Sequence, residues 1–170
     1  FNSEYRDLTE AAEQALKAAI DNIRPGIPTS KMGDIIEKVI KARGFKPISN
    51  LTGHQVGRYL VHAGTSIPNI SNVSFAKIRL GGVYALEPFV TLPTAVGRVE
   101  NGKEVAIFRF LKPKSLKNSY AKQLLKYVEE NFRTLPFAER WLKGVVPDKH
   151  HSEAFRELVS SKALMGYPVF

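Results

Sequence analysis

Apolar residues recur at three- and four-residue spacing near the start of the chain: Tyr5, Leu8, Ala12, Ala15, Leu16, Ala19 and Ile23. That spacing lines one face of a helix from Ser3 to about Asn22, and Pro25-Gly26 stops it. A second stripe of Met32, Ile35, Ile36, Val39 and Ile40 predicts a helix from about Ser30 to Ala42. Thr29 is the expected N-cap and Gly44 the stop. The period then changes. Phe45-Lys46-Pro47-Ile48 reads as a short extended piece, followed by turn-rich residues up to Gly53. Val83 to Val90 reads as a strand with apolar residues on both faces, which implies burial on both sides. Asn101-Gly102 lies between Gly97-Arg98-Val99-Glu100 and Lys103 to Phe108, a strong hairpin signal. Past Lys112-Pro113-Lys114 the pattern is helical again. Asn118 to Phe132 buries Tyr120, Leu124, Tyr127, Val128 and Phe132. Pro136 to Leu142 reads as a shorter helix carrying Trp141, and Ser152 to about Lys162 as another, buried through Phe155, Leu158 and Val159 and ended near Gly166. Helices, then sheet, then a compact helical appendix make an α+β fold.

Composition narrows the class. A chain of 170 residues with 44% apolar content suits one domain, or one domain with an appended subdomain. No run approaches the roughly 20 apolar residues that span a bilayer, and no charged-then-apolar leader opens the chain. The absence of cysteine excludes disulfides and thiolate ligands and fits a reducing compartment, so the expected location is cytoplasmic, away from membranes. The formal net charge of +9 fits either a solvated basic surface or work beside RNA or another polyanion, and the basic residues are spread rather than blocked. The chain opens at Phe1 without an initiator Met and closes on Tyr167-Pro168-Val169-Phe170, which resembles the start of a strand. The expectation is an excerpt of something longer.

The candidate chemistry sits in a Gly-rich, turn-forming stretch, Gly53-His54 through His62-Ala63-Gly64, and in Glu87. Imidazole and carboxylate are hydrolytic metal ligands, and each is costly to bury without a partner. Alternation places Val83, Ala85, Glu87 and Phe89 on one strand face, and Tyr84, Leu86 and Val90 on the other. A carboxylate there needs a basic side chain or a metal, unless Pro88 marks a strand end from which it escapes to water. A straight strand would hold His54 and His62 roughly 26 Å apart, so they share a site only if the chain doubles back, which Gly57 makes cheap. His150-His151 reads as a solvent-exposed pair at the start of the last helix.

These residues carry a resemblance. Asn50-Leu51-Thr52-Gly53-His54, Arg58-Tyr59-Leu60-Val61-His62-Ala63-Gly64, Ile67-Pro68-Asn69 and Tyr84-Ala85-Leu86-Glu87-Pro88-Phe89 closely resemble the type II methionine aminopeptidases, the archaeal branch especially. Thr134 to Leu142 and Gly166-Tyr167-Pro168 resemble the helical insertion of that type. The resemblance runs through essentially the whole chain.

It implies part of a pita-bread (creatinase/aminopeptidase) fold, with residues 1–112 from the C-terminal part of the catalytic domain. Residues 113–170 then correspond to a winged-helix-like helical insertion, matched over Lys114 to Tyr167. It implies two divalent metal ions (Co, Mn, Fe or Zn) held by two Asp, one His and two Glu. His54 would be the ligand histidine and Glu87 one glutamate, with Glu87 able to accept the proton of the attacking water. His62 would hydrogen-bond the scissile amide. Val61 and Phe89 would line the methionine pocket, with Tyr167 contributed by the insertion. The implied function is a methionyl aminopeptidase, a metalloprotease that removes initiator methionine from nascent proteins, with nascent peptides and the ribosome as partners. The other three ligands have no counterpart in this chain, so the expectation is no activity from it alone. Three explanations stand: a portion of a full enzyme, one half of a split enzyme completed by a second chain carrying the missing ligands, or a non-catalytic relative acting as an RNA- or ribosome-binding module. Creatinase and proline-dipeptidase relatives share the ligand set, and the pocket and insertion residues speak for methionine.

Overall fold

A computed structural model describes residues 5–170, so the expected helix start at Ser3 lies outside the described residues. The chain divides into two compact units, Phe1–Val99 and Glu100–Phe170. The sequence-based boundary lay after Lys112. The strand Val105–Phe110 ahead of it pairs with strands later in the chain, and so groups with the second unit.

In the first unit, α1 (Arg6–Asn22) and α2 (Thr29–Ala42) follow their apolar stripes. The buried residues of α1 are Ala11, Ala15 and Ala19, and side chains that small allow close approach to Met32, Ile36 and Ile40 of α2. Ile27, Ile67 and Ile78 complete this core. A Cβ on Gly33 would run into the carbonyl oxygen of Ile70, so glycine permits the seat of α2 against that backbone. Glu10 accepts from Arg6 at 3.1 Å and from Arg43 at 2.9 Å, tying the start of α1 to the end of α2. Those two guanidinium groups hold its carboxyl below the ordinary value.

Thr29 is not the N-cap. It is the first residue of α2, preceded by Pro28. Its N–H donates to the Ala76 carbonyl at 2.8 Å, and its hydroxyl lies 3.0 Å from that of Ser74. The cause is tertiary: residues 74–78 run antiparallel beside 26–29, with Gly26 donating to Ile78 at 2.8 Å and Ile78 to Ile27 at 2.9 Å.

Two small antiparallel sheets follow. β1 (Lys46–Pro47) pairs with β5 (Val90–Thr91), and β2 (Thr52–Val56) lies between β3 (Ser66–Pro68) and β4 (Val83–Ala85). The strand expected over 83–90 is therefore broken. Its first part belongs to one sheet and its last to another, with Pro88, which has no N–H to donate, in the gap. Nor is it buried on both faces, because Val83 is 64% exposed.

The second unit builds a sheet in which β6 (Val105–Phe110) runs between β7 (Phe137–Ala138) and β8 (Leu164–Pro168), both antiparallel to it. The hairpin expected at Asn101-Gly102 does not form. Gly102 donates to Val169 at 2.5 Å and Val169 to Glu104 at 2.9 Å, so this stretch runs past the end of β8. α3 (Ser119–Asn131) is capped by the Asn118 side chain, which accepts from Tyr120 at 2.8 Å and Ala121 at 3.3 Å. Residues 136–142 are not an α-helix, because Phe137 and Ala138 pair with Phe108 and Ile107 before a single 3-10 turn, Glu139–Leu142. α4 (Asp148–Ser160) begins at Asp148, ahead of the expected Ser152. It sends Glu157 to accept the N–H groups of Lys117 at 2.6 Å and Asn118 at 3.0 Å. The sheet and both helices enclose a core that includes Phe108, Leu124, Val128, Phe137, Leu142, Phe155 and Leu158.

His150 and His151 are not a free exposed pair. His150 stacks on Tyr120 with ring centroids 4.3 Å apart. His151 places Nε2 3.5 Å from the Glu139 carboxylate, with its side chain 14% exposed.

Candidate metal centre

β2 is the central strand of its sheet, and the register sets His54 opposite Ser66 on one side and Ala85 on the other. Glu87 lies two residues past Ala85. It is thus the diagonal neighbour of His54, within reach of a long side chain. The ladder ends at Ala85, yet the backbone stays close: a Cβ on Gly53 would collide with the Ala85 carbonyl oxygen and lie 3.2 Å from the Glu87 nitrogen. Glycine ahead of His54 therefore lets residues 85–87 lie against β2. The outcome is a His54 Nε2 to Glu87 Oε1 separation of 3.6 Å, with side-chain exposures of 9% and 39%. That separation is longer than a hydrogen bond.

His62 reaches the same place by a reversal of the chain. Gly57 donates to Leu60 at 2.8 Å and Leu60 back to Gly57 at 3.0 Å, closing a turn over Arg58 and Tyr59. The left-handed residue is Tyr59, with φ of 56°, and not Gly57. Gly57 serves by lacking a side chain, because a Cβ there would press on that of Ala63 at 3.3 Å. The returning limb is fastened by Ala63 N–H to Gln55 carbonyl and Gln55 N–H to Thr65 carbonyl, both 2.7 Å. The His54 and His62 rings consequently lie 4.2 Å apart between centroids, tilted by 51°. His54 is buried and His62 exposed.

The structure thus brings together His54, His62 and Glu87 in the first unit. Val61 is half-buried on the limb leading to His62, and Phe89 half-buried just after Glu87, its carbonyl accepting from Ile48 at 2.9 Å. Tyr167 belongs to the second unit, in β8 opposite Ile107.

Two asparagines to which residue spacing assigns no role hold the start of β2. Asn50 makes a two-way amide pair with the Val99 backbone at 2.8 and 3.0 Å. Asn69, fully buried, donates to the Leu51 carbonyl at 2.9 Å. Both stand within the motifs quoted above, but their partners are backbone groups that spacing does not reveal.

The donor chemistry suits part of a cation shell. Two ligands at about 2.1 Å from one tetrahedral or octahedral ion lie roughly 3.0–3.4 Å apart, close to the observed separation. His54 Nδ1 lies 3.3 Å from the Gln55 carbonyl, an arrangement that, with the proton on Nδ1, leaves the Nε2 lone pair facing Glu87. Among the described residues, however, no group of three or more His, Asp or Glu side chains is placed to hold a metal ion. His54 and Glu87 fit as two members of a larger ligand set, not as a complete one.

The family model for metallopeptidase family M24 matches residues 1–109. The chain belongs to metallopeptidase family M24. Its M24 relatives include the methionine aminopeptidases of Pyrococcus abyssi, 42% identical over 167 residues, and Archaeoglobus fulgidus, 44% identical over 163 residues. The matches cover 98% and 96% of this chain but 56% and 54% of those proteins, so the chain spans little more than half their length. Among solved structures, a thermophilic Arx1 superposes with a TM-score of 0.71 at 18% identity, covering 95% of this chain and 49% of its own. That likeness speaks to fold alone. With the M24 match it bears out the expected class, a mixed α/β chain carrying part of the pita-bread fold. Among the described residues no helix is long and apolar enough to cross a membrane.

Proposed function

We propose that this chain is the larger part of a dinuclear-metal aminopeptidase that removes N-terminal methionine from nascent proteins in the cytoplasm. The observation that carries the reading is the 3.6 Å approach of His54 Nε2 to Glu87 Oε1, with the His62 ring 4.2 Å from that of His54. The names and identities of the relatives support it. His54 and Glu87 are two ligands of a pair of divalent ions, Co, Mn, Fe or Zn, and the remaining ligands come from the length of the relatives that this chain does not match. When bound, such ions supply Lewis acidity and an activated water. The Gln55 carbonyl orients the His54 imidazole. Glu87, on a half-exposed side chain, is open to water and accepts its proton. The His62 ring N–H donates to the scissile amide and supports its developing charge. Val61 and Phe89 wall the apolar pocket for the unbranched thioether side chain.

The test is methionine release from a Met-Ala-Ser peptide with added Mn²⁺ or Co²⁺. The 170-residue chain alone is expected to be inactive. Joined to the polypeptide that completes the relatives' length, in one chain or as a second one, it should release methionine. In that protein His54→Ala and Glu87→Gln should lower kcat/KM by at least about a hundredfold, as loss of metal ligation does. His62→Ala should lower kcat by roughly a hundredfold with metal content kept. An active Glu87→Gln protein would overturn the assignment.

A second reading, a non-catalytic relative that binds RNA or ribosomes, rests on the formal net charge of +9. It predicts a completed protein that neither binds stoichiometric metal nor releases methionine.

A further inference from the structure

Asn101-Gly102 has the local form of a hairpin turn without serving as one, so the fold leaves its chemistry unused. Both residues are exposed and lie outside regular structure, just ahead of β6. Gly102 has a packing reason to be glycine. A Cβ there would stand 2.8 Å from the Val169 carbonyl oxygen, the same atom that accepts the Gly102 N–H. Asn101 is thereby given a following residue with no side chain.

That juxtaposition opens one reaction. The backbone nitrogen of the residue after an asparagine, on losing its proton, can attack the side-chain amide carbon. A side chain on the following residue crowds that approach and narrows the backbone angles that permit it, and glycine does neither. No other asparagine of the chain precedes glycine. The amides of Asn22, Asn50, Asn69, Asn118 and Asn131 are also occupied by hydrogen bonds. Among the described residues Asn72 and Asn101 are exposed with no such bond, and Asn72 precedes the β-branched Val73. Asn101 therefore joins an unheld amide to an unhindered nucleophile.

We propose that Asn101 is a site of spontaneous deamidation, through a cyclic imide closed with Gly102 and opened by water. The Gly102 nitrogen forms a bond to Cγ of Asn101, and that carbon releases its own nitrogen as ammonia. Water then opens the five-membered ring at either carbonyl. Attack at Cγ restores the normal backbone and leaves aspartate. Attack at the backbone carbonyl leaves isoaspartate, whose main chain runs through the former side chain and is one carbon longer. Either product sets a new carboxylate between Glu100 and Glu104. The added carbon falls where Gly102 and Glu104 both bond to Val169. Val169 restrains the reaction, because the Gly102 nitrogen must leave its carbonyl before it can attack. The site uses no residue of the His54–Glu87 pair, so it stands or falls separately from the aminopeptidase reading.

The experiment incubates the purified chain for weeks at body temperature and mildly alkaline pH. Tryptic cleavage after Arg98 and Lys103 isolates residues 99–103, whose one side-chain amide is that of Asn101. Mass spectrometry then follows the mass gain of an amide-to-acid change. A synthetic peptide of residues 97–106 supplies the unrestrained rate. Asn101 should convert to a mixture of isoaspartate and aspartate, and more slowly at mildly acidic pH, where the nitrogen keeps its proton. Asn72 in the same digest should lag by at least about tenfold, because Val73 crowds its nitrogen. The folded chain should react roughly two- to tenfold more slowly than the peptide, the factor that one backbone hydrogen bond imposes. Aspartate without isoaspartate, or Asn72 converting as fast as Asn101, would overturn the imide route. A chain still unmodified after tens of peptide half-lives would overturn the site. Equal rates in chain and peptide would overturn the restraint by Val169.

Discussion

The two units handle their apolar residues differently. The second closes its core: Phe137 is fully buried, stacked on Phe132 at 5.0 Å and 6.4 Å from Phe108, with α3, α4 and the sheet contributing to one cluster. The first keeps a smaller cluster under α1 and α2 and leaves Val73 and Phe75 90% exposed, Leu80 87% and Val96 85%. Yet the candidate chemistry is in the first unit. Its polar groups sit where small sheets end, held by register and backbone bonds rather than by depth of core. The larger buried cluster and the candidate site thus lie in different parts of the chain.

That contrast can be broken at several points. The largest effect is expected from Phe137→Ala, which removes a fully buried ring and should cost about 3–5 kcal/mol. Hydrogen exchange should show the protection lost over residues 105–168 with that of α1 and α2 kept, and equal losses in both units would contradict the division. Gly53→Ala should cost less, about 1–3 kcal/mol, because the new Cβ must push β2 away from the Ala85 carbonyl. Its specific signature would be a moved His54 imidazole resonance, whereas Gly144→Ala in the second unit should leave that resonance in place.

The smallest effect concerns pH. Burial works to raise the Glu37 pKa, but the Lys41 ammonium at 2.6 Å and the Ser71 N–H at 2.7 Å together hold it below the ordinary carboxylate value. A folded carboxyl with a lowered pKa adds stability in full above the unfolded value of about 4.3, and the gain disappears as pH falls through the folded value. Urea midpoints should therefore drop less between pH 6 and pH 3 in Glu37→Gln than in the parent protein.

The helices were legible because each carries its own apolar stripe, and α2 and α3 end within a residue or so of where spacing placed them. The strands were not, because their partners are distant. Asn101-Gly102 has the local form of a turn, but β6 finds β7 and β8 far along the chain. Phe137 and Ala138 follow a proline that would start a helix, and pairing with β6 claims them instead. Thr29 has cap chemistry and spends it on Ser74. At the site, His54, His62 and Glu87 were visible as costly polar residues among apolar and glycine neighbours. Their approach was not, because it depends on a turn whose left-handed residue is a tyrosine and on a register no local pattern encodes.

The diagonal placement of His54 and Glu87 makes the pleat a ruler. Their interval is counted from the His54–Ala85 rung, so the excursion over 57–65 could gain or lose residues without altering it. One residue inserted between Ala85 and Glu87 would instead swing the carboxylate to the far side of the sheet. Tolerance of length change should therefore differ sharply between two stretches that lie beside the same imidazole.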